Sequence, residues 1–264
     1  MSSDKSYSKD EIPLKPALSI VPTPPSSEPT KHLNASPPPI ENKKYYVKFT
    51  FMITYILLLT TATLTFIEAM RTNKPHVRHI LNLETCISIV AGYFYSVFLG
   101  QIEEAEKENK DLDSIWPEIT KTRYIDWSIT TPLMLLTLCI VLSNNTNTLI
   151  HLPTILSIIG LNYTMLGLGF LGEINILSPL TATVGGFIPF LLMFYIIYQS
   201  FVMPKYSFIN SVLFFVYFIV WACYGLVYNM ESSTKNIIIN ILDCIAKCLI
   251  GNGLYIYYSN LIVL

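Results

Sequence analysis

Asp243 and Lys247 stand four residues apart inside an apolar run, KNIIINILDCIAKCLIGNGLYIYYSNLIVL, residues 235–264. In a helix that spacing puts a carboxylate and an amine on one face. A charge left in hydrocarbon costs several kcal/mol, so an acid–base pair in the middle of a membrane-length segment marks a functional site. A lysine kept from water is also suited to forming an imine with an aldehyde. A second apolar stretch carries RYIDWSITTPL, residues 123–133, and so brings Arg123 and Asp126 into the same kind of surroundings.

The elements that must hold these residues are membrane spans. With 52% hydrophobic and 13% charged residues, the chain has seven apolar stretches long enough to cross a bilayer. They fall near 46–70, 80–100, 122–142, 150–172, 178–202, 207–229 and 236–262. The fold class expected is an all-α membrane protein, a bundle of seven transmembrane helices in one domain over 45–264. Residues 1–44, with PTPPSSEP and SPPP, read as a disordered, Pro-rich tail. The tail lacks the hydrophobic stretch of a signal peptide, so the first span is expected to direct insertion. Asn34-Ala35-Ser36 fits a glycosylation acceptor, although the prolines after it argue against its use. The loop after the first span carries Arg71, Lys74 and Arg78 with His76 and His79, and the loop after the second, QIEEAEKENKDLD, is acidic. Basic loops stay in the cytoplasm, which puts the N-terminus and its tail outside and the C-terminus inside. Cys86, Cys139, Cys223, Cys244 and Cys248 all fall within spans, without metal-ligand spacing, and read as small apolar residues. There is no phosphate loop, zinc motif or nucleophile–base arrangement, so neither an enzyme nor a nucleic-acid partner is expected. A net charge of −1 points to no charged partner either.

The third and seventh spans together resemble those of the microbial (type 1) rhodopsins. The shared pattern R-Y-x-D-W-x-x-T-T-P-L stands here as Arg123, Tyr124, Asp126, Trp127, Thr130, Thr131, Pro132 and Leu133. The pattern L-D-x-x-A-K stands as Leu242, Asp243, Ala246 and Lys247. The resemblance covers residues 45 to 262. It implies all-trans-retinal bound as a protonated Schiff base at Lys247, with Asp126 as principal counterion and proton acceptor and Asp243 as second anion. Thr130 would help fix the Asp126 oxygens, and Arg123 would balance Asp243. Two cations and two anions make a neutral cluster. Around the polyene the resemblance implies Trp127, Thr131, Met134, Met165, Gly167, Gly169, Pro189, Phe190, Met193, Trp221 and Tyr224, with Tyr224 touching Asp243. Met134, at a position that tunes colour in relatives, points to green rather than blue absorption. Gly225 stands where proline is common, Tyr228 where a third tryptophan is common, and Gly185 and Gly186 replace aromatics. A looser pocket floor is therefore expected.

One departure bears on transport. Thr137 lies eleven residues beyond Asp126, about 16 Å toward the cytoplasm. Outward proton pumps of the family carry an acid there. Glu84, eleven residues before Tyr95 on the second span, should lie at the same depth, and Glu68 lies near the inner end of the first. Tyr95 aligns with a tyrosine near the retinal level. The bland reading of Glu84 is a group reaching for the interface; the functional one is a gate, an ion site or a displaced proton donor. The missing acid at Thr137 together with this second-span pattern looks like the rhodopsins of giant marine viruses, one branch of which resembles light-gated cation channels. Asn162 is placed to bond Thr131, a pair that would time gating. The expected function is a light-gated cation channel, with an outward proton pump as the alternative and a photosensor acting through a partner as the third reading. The expected setting is a multi-pass protein of the plasma membrane or a host cell membrane. Its partners would be lipid, protons or small cations, and further copies of the chain in a homo-oligomer.

Overall fold

The computed structural model describes residues 39–259, with side chains from Lys44 onward. The Pro-rich tail and Asn34 lie outside the described residues. Among the described residues, seven helices are long and apolar enough to span a membrane. They are α1 (Pro39–Arg71), α2 (Pro75–Lys107), α3 (Trp116–Thr146), α4 (Leu152–Glu173), α5 (Pro179–Val202), α6 (Phe208–Val227) and α7 (Ser232–Ser259). The apolar runs locate every span but not every helix end. Hydropathy put the second span at 80–100, whereas α2 continues through charged residues at both ends. Hydropathy reports the thickness of hydrocarbon, while backbone hydrogen bonding continues into water.

Local chemistry sets the starts. Proline occupies the first or second position of α2, α3, α4 and α5, where its missing N–H is no loss. Ser178 and Ser207 cap α5 and α6 by accepting from the main-chain N–H groups of Thr181 and Asn210. Glu231 does the same for α7, accepting from Ser233 and Thr234. Asn147 closes α3 in the left-handed conformation, φ 54° and ψ 36°.

Two helices carry irregularities that matter for the site. Pro132 lies inside α3 and cannot donate to the carbonyl of Ser128. The Tyr163 hydroxyl of α4 donates to that carbonyl instead, at 3.0 Å. In α7 the stretch Cys244–Leu249, which contains Lys247, is a π-helical turn. Such wide turns are uncommon and concentrate at functional positions.

Packing is inverted relative to a soluble protein. Large apolar side chains such as Phe66, Ile89, Leu191, Phe215 and Leu249 face outward, while Thr61, Glu84, Arg123, Asp126, Asn162, Asp243 and Lys247 are buried. One apolar cluster joins α3, α5, α6 and α7 through Leu138, Phe194, Phe214 and Trp221. A second joins α1, α2 and the start of α3 through Phe51, Phe98 and Ile119. Between these clusters runs the polar seam that holds the site.

Tyr163→Phe is predicted to lower stability by about 1 kcal/mol, because the Ser128 carbonyl loses its donor. Adding Pro132→Ala should recover part of the loss by restoring a main-chain donor. Thermal unfolding of the two variants checks this; a double variant less stable than Tyr163→Phe would contradict it.

Candidate chromophore and ion-transfer site

Each charged side chain is delivered by a different turn of α3 or α7. Asp243 and Lys247 share one face of α7, with Lys247 Nζ 3.4 Å from Asp243 Oδ2. Across the bundle, Asp126 Oδ2 of α3 lies 3.0 Å from the same nitrogen. Arg123, one turn before Asp126, lies 3.6 Å from Asp243 Oδ2. All four are at most 2% exposed, so the two positive and two negative side chains neutralise one another away from water. A charge buried with its partner removed typically costs about 3–5 kcal/mol, so the cluster holds together as a unit.

The two carboxylates are not equivalent. Asp243 is held on every side: Tyr224 donates to Oδ1 at 2.6 Å, and Tyr95 donates to Oδ2 at 2.7 Å. Arg123 and Lys247 add their charges. Asp126 has only Lys247, and its Oδ1 is buried without a partner. The sequence reading assigned Thr130 to the Asp126 carboxylate. The structure corrects this: the Thr130 hydroxyl donates to the main-chain carbonyl of Asp126 at 2.9 Å. A helical threonine readily satisfies its hydroxyl on the carbonyl one turn back, which leaves the carboxylate free.

Arg123 is fixed by groups the sequence did not reveal. It donates to Asn236 and Asn240 on α7, both at 3.0 Å. Its guanidinium also lies over the rings of Phe51 and Phe98, at 5.4 and 4.9 Å. The signal was present: asparagines at 236 and 240 precede Asp243 on the same helical stripe.

A cavity enclosing about 1070 Å³, its open mouth included, leads to Lys247. Trp127, Thr131, Met134, Met165, Gly169, Trp221 and Tyr224 line it as expected. Phe190 lines it too, as expected, but Pro189 and Met193 are buried outside the lining; Gly186 and Phe187 complete the α5 wall instead. Gly167 is exposed, with open space where a side chain would start, so it is no part of the pocket. At Gly225 and Tyr228 the floor is closed. Phe187 packs where a Gly225 side chain would begin, 2.7 Å from that Cβ position, and the Tyr228 hydroxyl donates to the Gly169 carbonyl at 2.7 Å. Asn162 donates to Thr131 at 2.9 Å, the anticipated tie between α3 and α4. Toward the α2–α3 loop, a second cavity shares Thr120, Glu173 and Lys235 with the first. Lys235 donates to both oxygens of Glu173, at 2.9 and 3.1 Å, so this pair stands between the two spaces.

In the other half of the bundle, Glu84 is 2% exposed. It faces the interior and does not reach for the interface. Glu84 Oε1, Ser88 Oγ and Thr137 Oγ1 are buried without hydrogen-bond partners. Glu68 is 9% exposed and lies 3.9 Å from Arg71.

Residues 46–260 match the model of the bacteriorhodopsin-like protein family. The chain belongs to that family, the microbial rhodopsins. Viral rhodopsin OLPVRII is 40% identical, with a TM-score of 0.75 over 82% of this chain and 99% of that one, which places this rhodopsin with the viral branch. The proton pumping rhodopsin AR2 from the marine alga Acetabularia acetabulum is 21% identical, with a TM-score of 0.65 over 81% of this chain and 95% of that one. The blue light-absorbing proteorhodopsin from Med12 is 20% identical, with a TM-score of 0.63 over 81% and 97%. These last two share the fold. No curated protein sequence matches. This rhodopsin is a multi-pass membrane protein of a family that binds retinal through a lysine.

Arg123→Gln is predicted to destabilise the retinal-free protein by about 3–5 kcal/mol, because Asp243 keeps a buried charge with one cation fewer. The double variant Arg123→Gln/Asp243→Asn should recover much of that loss. Additive losses in thermal unfolding would contradict the coupling.

Proposed function

We propose that this rhodopsin uses light, absorbed by all-trans-retinal held at Lys247, to drive protons across the membrane, outward in the orientation expected from loop charge. The observation that carries the reading is the inequality of the two carboxylates. Asp243 is saturated by donors, whereas Asp126 faces the Lys247 nitrogen with one oxygen unpartnered. A proton leaving that nitrogen therefore has one open acceptor, Asp126 Oδ1.

The residues present fit the chromophore. The cavity ends at Lys247, is walled by Trp127 and Trp221, and narrows at Gly169, where a side chain would meet the Tyr124 hydroxyl at 2.7 Å. Bound there, retinal supplies visible absorption and a light-driven isomerisation. The chain does the rest. Asp126 takes the proton, Arg123 and Asp243 hold the outer side of the cluster in charge balance, and the Thr131–Asn162 bond ties α3 to α4 beside the pocket. Glu84 is buried on α2, and it serves as the store from which a proton returns to the nitrogen. This replaces the acid of α3 whose place Thr137 takes.

The cation channel is the second reading. It is favoured by the unpartnered polar atoms of Ser88, Glu84, Thr137 and Asn252, which could take up entering water. The pump is preferred because the seam between them and the outer side is closed by the tightly bonded Arg123 cluster.

Three outcomes test the proposal. Lys247→Ala should abolish visible absorbance after retinal addition; a retained band would place the attachment elsewhere. Asp126→Asn should be red-shifted at neutral pH and lose the red shift that wild type shows on acidification. A titration matching wild type would transfer the counterion role to Asp243. Glu84→Gln should slow the late photocycle by roughly a hundredfold, in the range of a lost proton-transfer group, with rescue by azide and little change of dark colour. A conductance or selectivity change without that slowing would favour the channel.

A further inference from the structure

Gly251 lies four residues, one turn, beyond Lys247 on α7 and just after the π-helical turn that carries the lysine. It is buried, and so is the Glu84 side chain of α2 that meets it. A Cβ at position 251 would lie 3.0 Å from Glu84 Oε2 and 2.9 Å from the Thr61 methyl carbon of α1. Both distances are shorter than ordinary side-chain contacts, so the carboxyl occupies space that only glycine leaves. Thr61 is itself anchored, because its hydroxyl accepts from Asn252 at 3.1 Å. Glu84 is thus seated against the main chain of the same helix that carries Lys247, although no hydrogen bond joins them.

We infer that Gly251 is a positioning residue: it seats the Glu84 carboxyl against the α7 backbone one turn from Lys247, so that a shift of the Lys247 main chain moves the acid's surroundings directly. This deepens the reading of Glu84 as the inner proton store and rests on it for its kinetic consequence only. The π-helical turn suits the role, since its main chain already departs from regular spacing and ends at Leu249, two residues before the contact. Thr137, at the corresponding depth on α3, has no comparable link to α7 among the described contacts.

The test combines infrared spectroscopy with flash photolysis on the full-length protein in lipid. The carboxylic acid C=O band that disappears in Glu84→Gln identifies the acid. In Gly251→Ala that band should shift, in the retinal-free protein as well as the pigment, because the new methyl displaces the carboxyl. Late photocycle decay should slow roughly tenfold, and Gly251→Ala should add nothing in the Glu84→Gln background, as expected when two changes act through one contact. The variant Thr61→Ser/Gly251→Ala removes the other methyl that the new Cβ meets. It should keep both effects, and their disappearance would assign them to Thr61 and overturn the inference. An unmoved band in Gly251→Ala would also overturn it. A moved band with Glu84→Gln kinetically silent would uphold the seating while defeating the proton-store reading. Should Gly251→Ala fail to fold, Glu84→Asp/Gly251→Ala shortens the acid to fit and should restore the pigment; continued misfolding would count against the contact.

Discussion

Charge balance in a dry interior is the constraint on which the rest of this rhodopsin depends. Arg123 and Lys247 meet Asp126 and Asp243 within 3.0–3.6 Å, all nearly fully buried. None of the four is tolerable there alone. Their needs explain features far apart in the chain. Tyr95 on α2 and Tyr224 on α6 converge on Asp243, and Asn236 and Asn240 give α7 a polar face toward α3. The aromatic rings of Phe51 and Phe98 accept the guanidinium face, which lets α1 and α2 close over it.

Within that balanced set, the protein solvates the two carboxylates unequally. Donors hold both oxygens of Asp243, whereas Asp126 Oδ1 has no hydrogen-bond partner among the described residues. On the proposed reading, that oxygen beside the lysine is the acceptor for a single proton. In the other half of the bundle, Glu84 Oε1, Ser88 Oγ and Thr137 Oγ1 have no hydrogen-bond partners, a different environment from the saturated cluster.

Charged residues were the most legible part of the sequence, because acids and bases in apolar runs have few places to go. Lys247 and Asp243 share a face as their spacing implied, and Asp126 and Arg123 meet them, and Asn162 reaches Thr131, as the family resemblance implied. The errors came where several partners compete at short range. Thr130 was assigned to a carboxylate, but its own helix offers a carbonyl at bonding distance. Pro189 and Met193 lie behind the pocket wall because α5 turns Gly186, Phe187 and Phe190 toward it, and an apolar helix gives no polar signal of its rotation. Phe187 was illegible for the same reason: its role appears only when Gly225, on another helix, is seen to leave room for it. Helix ends were missed where charged turns extend a span into water.

The central claim is that the unpartnered oxygen of Asp126, facing Lys247, makes this rhodopsin a one-way proton carrier and not a passive pore. The most direct measurement is the photocurrent of the full-length protein in a voltage-clamped membrane, recorded across a range of voltages and cation gradients. The account predicts an outward current that keeps its sign at every voltage, is indifferent to sodium and potassium gradients, and is lost in Asp126→Asn. A current that reverses at the equilibrium potential of a cation would contradict it.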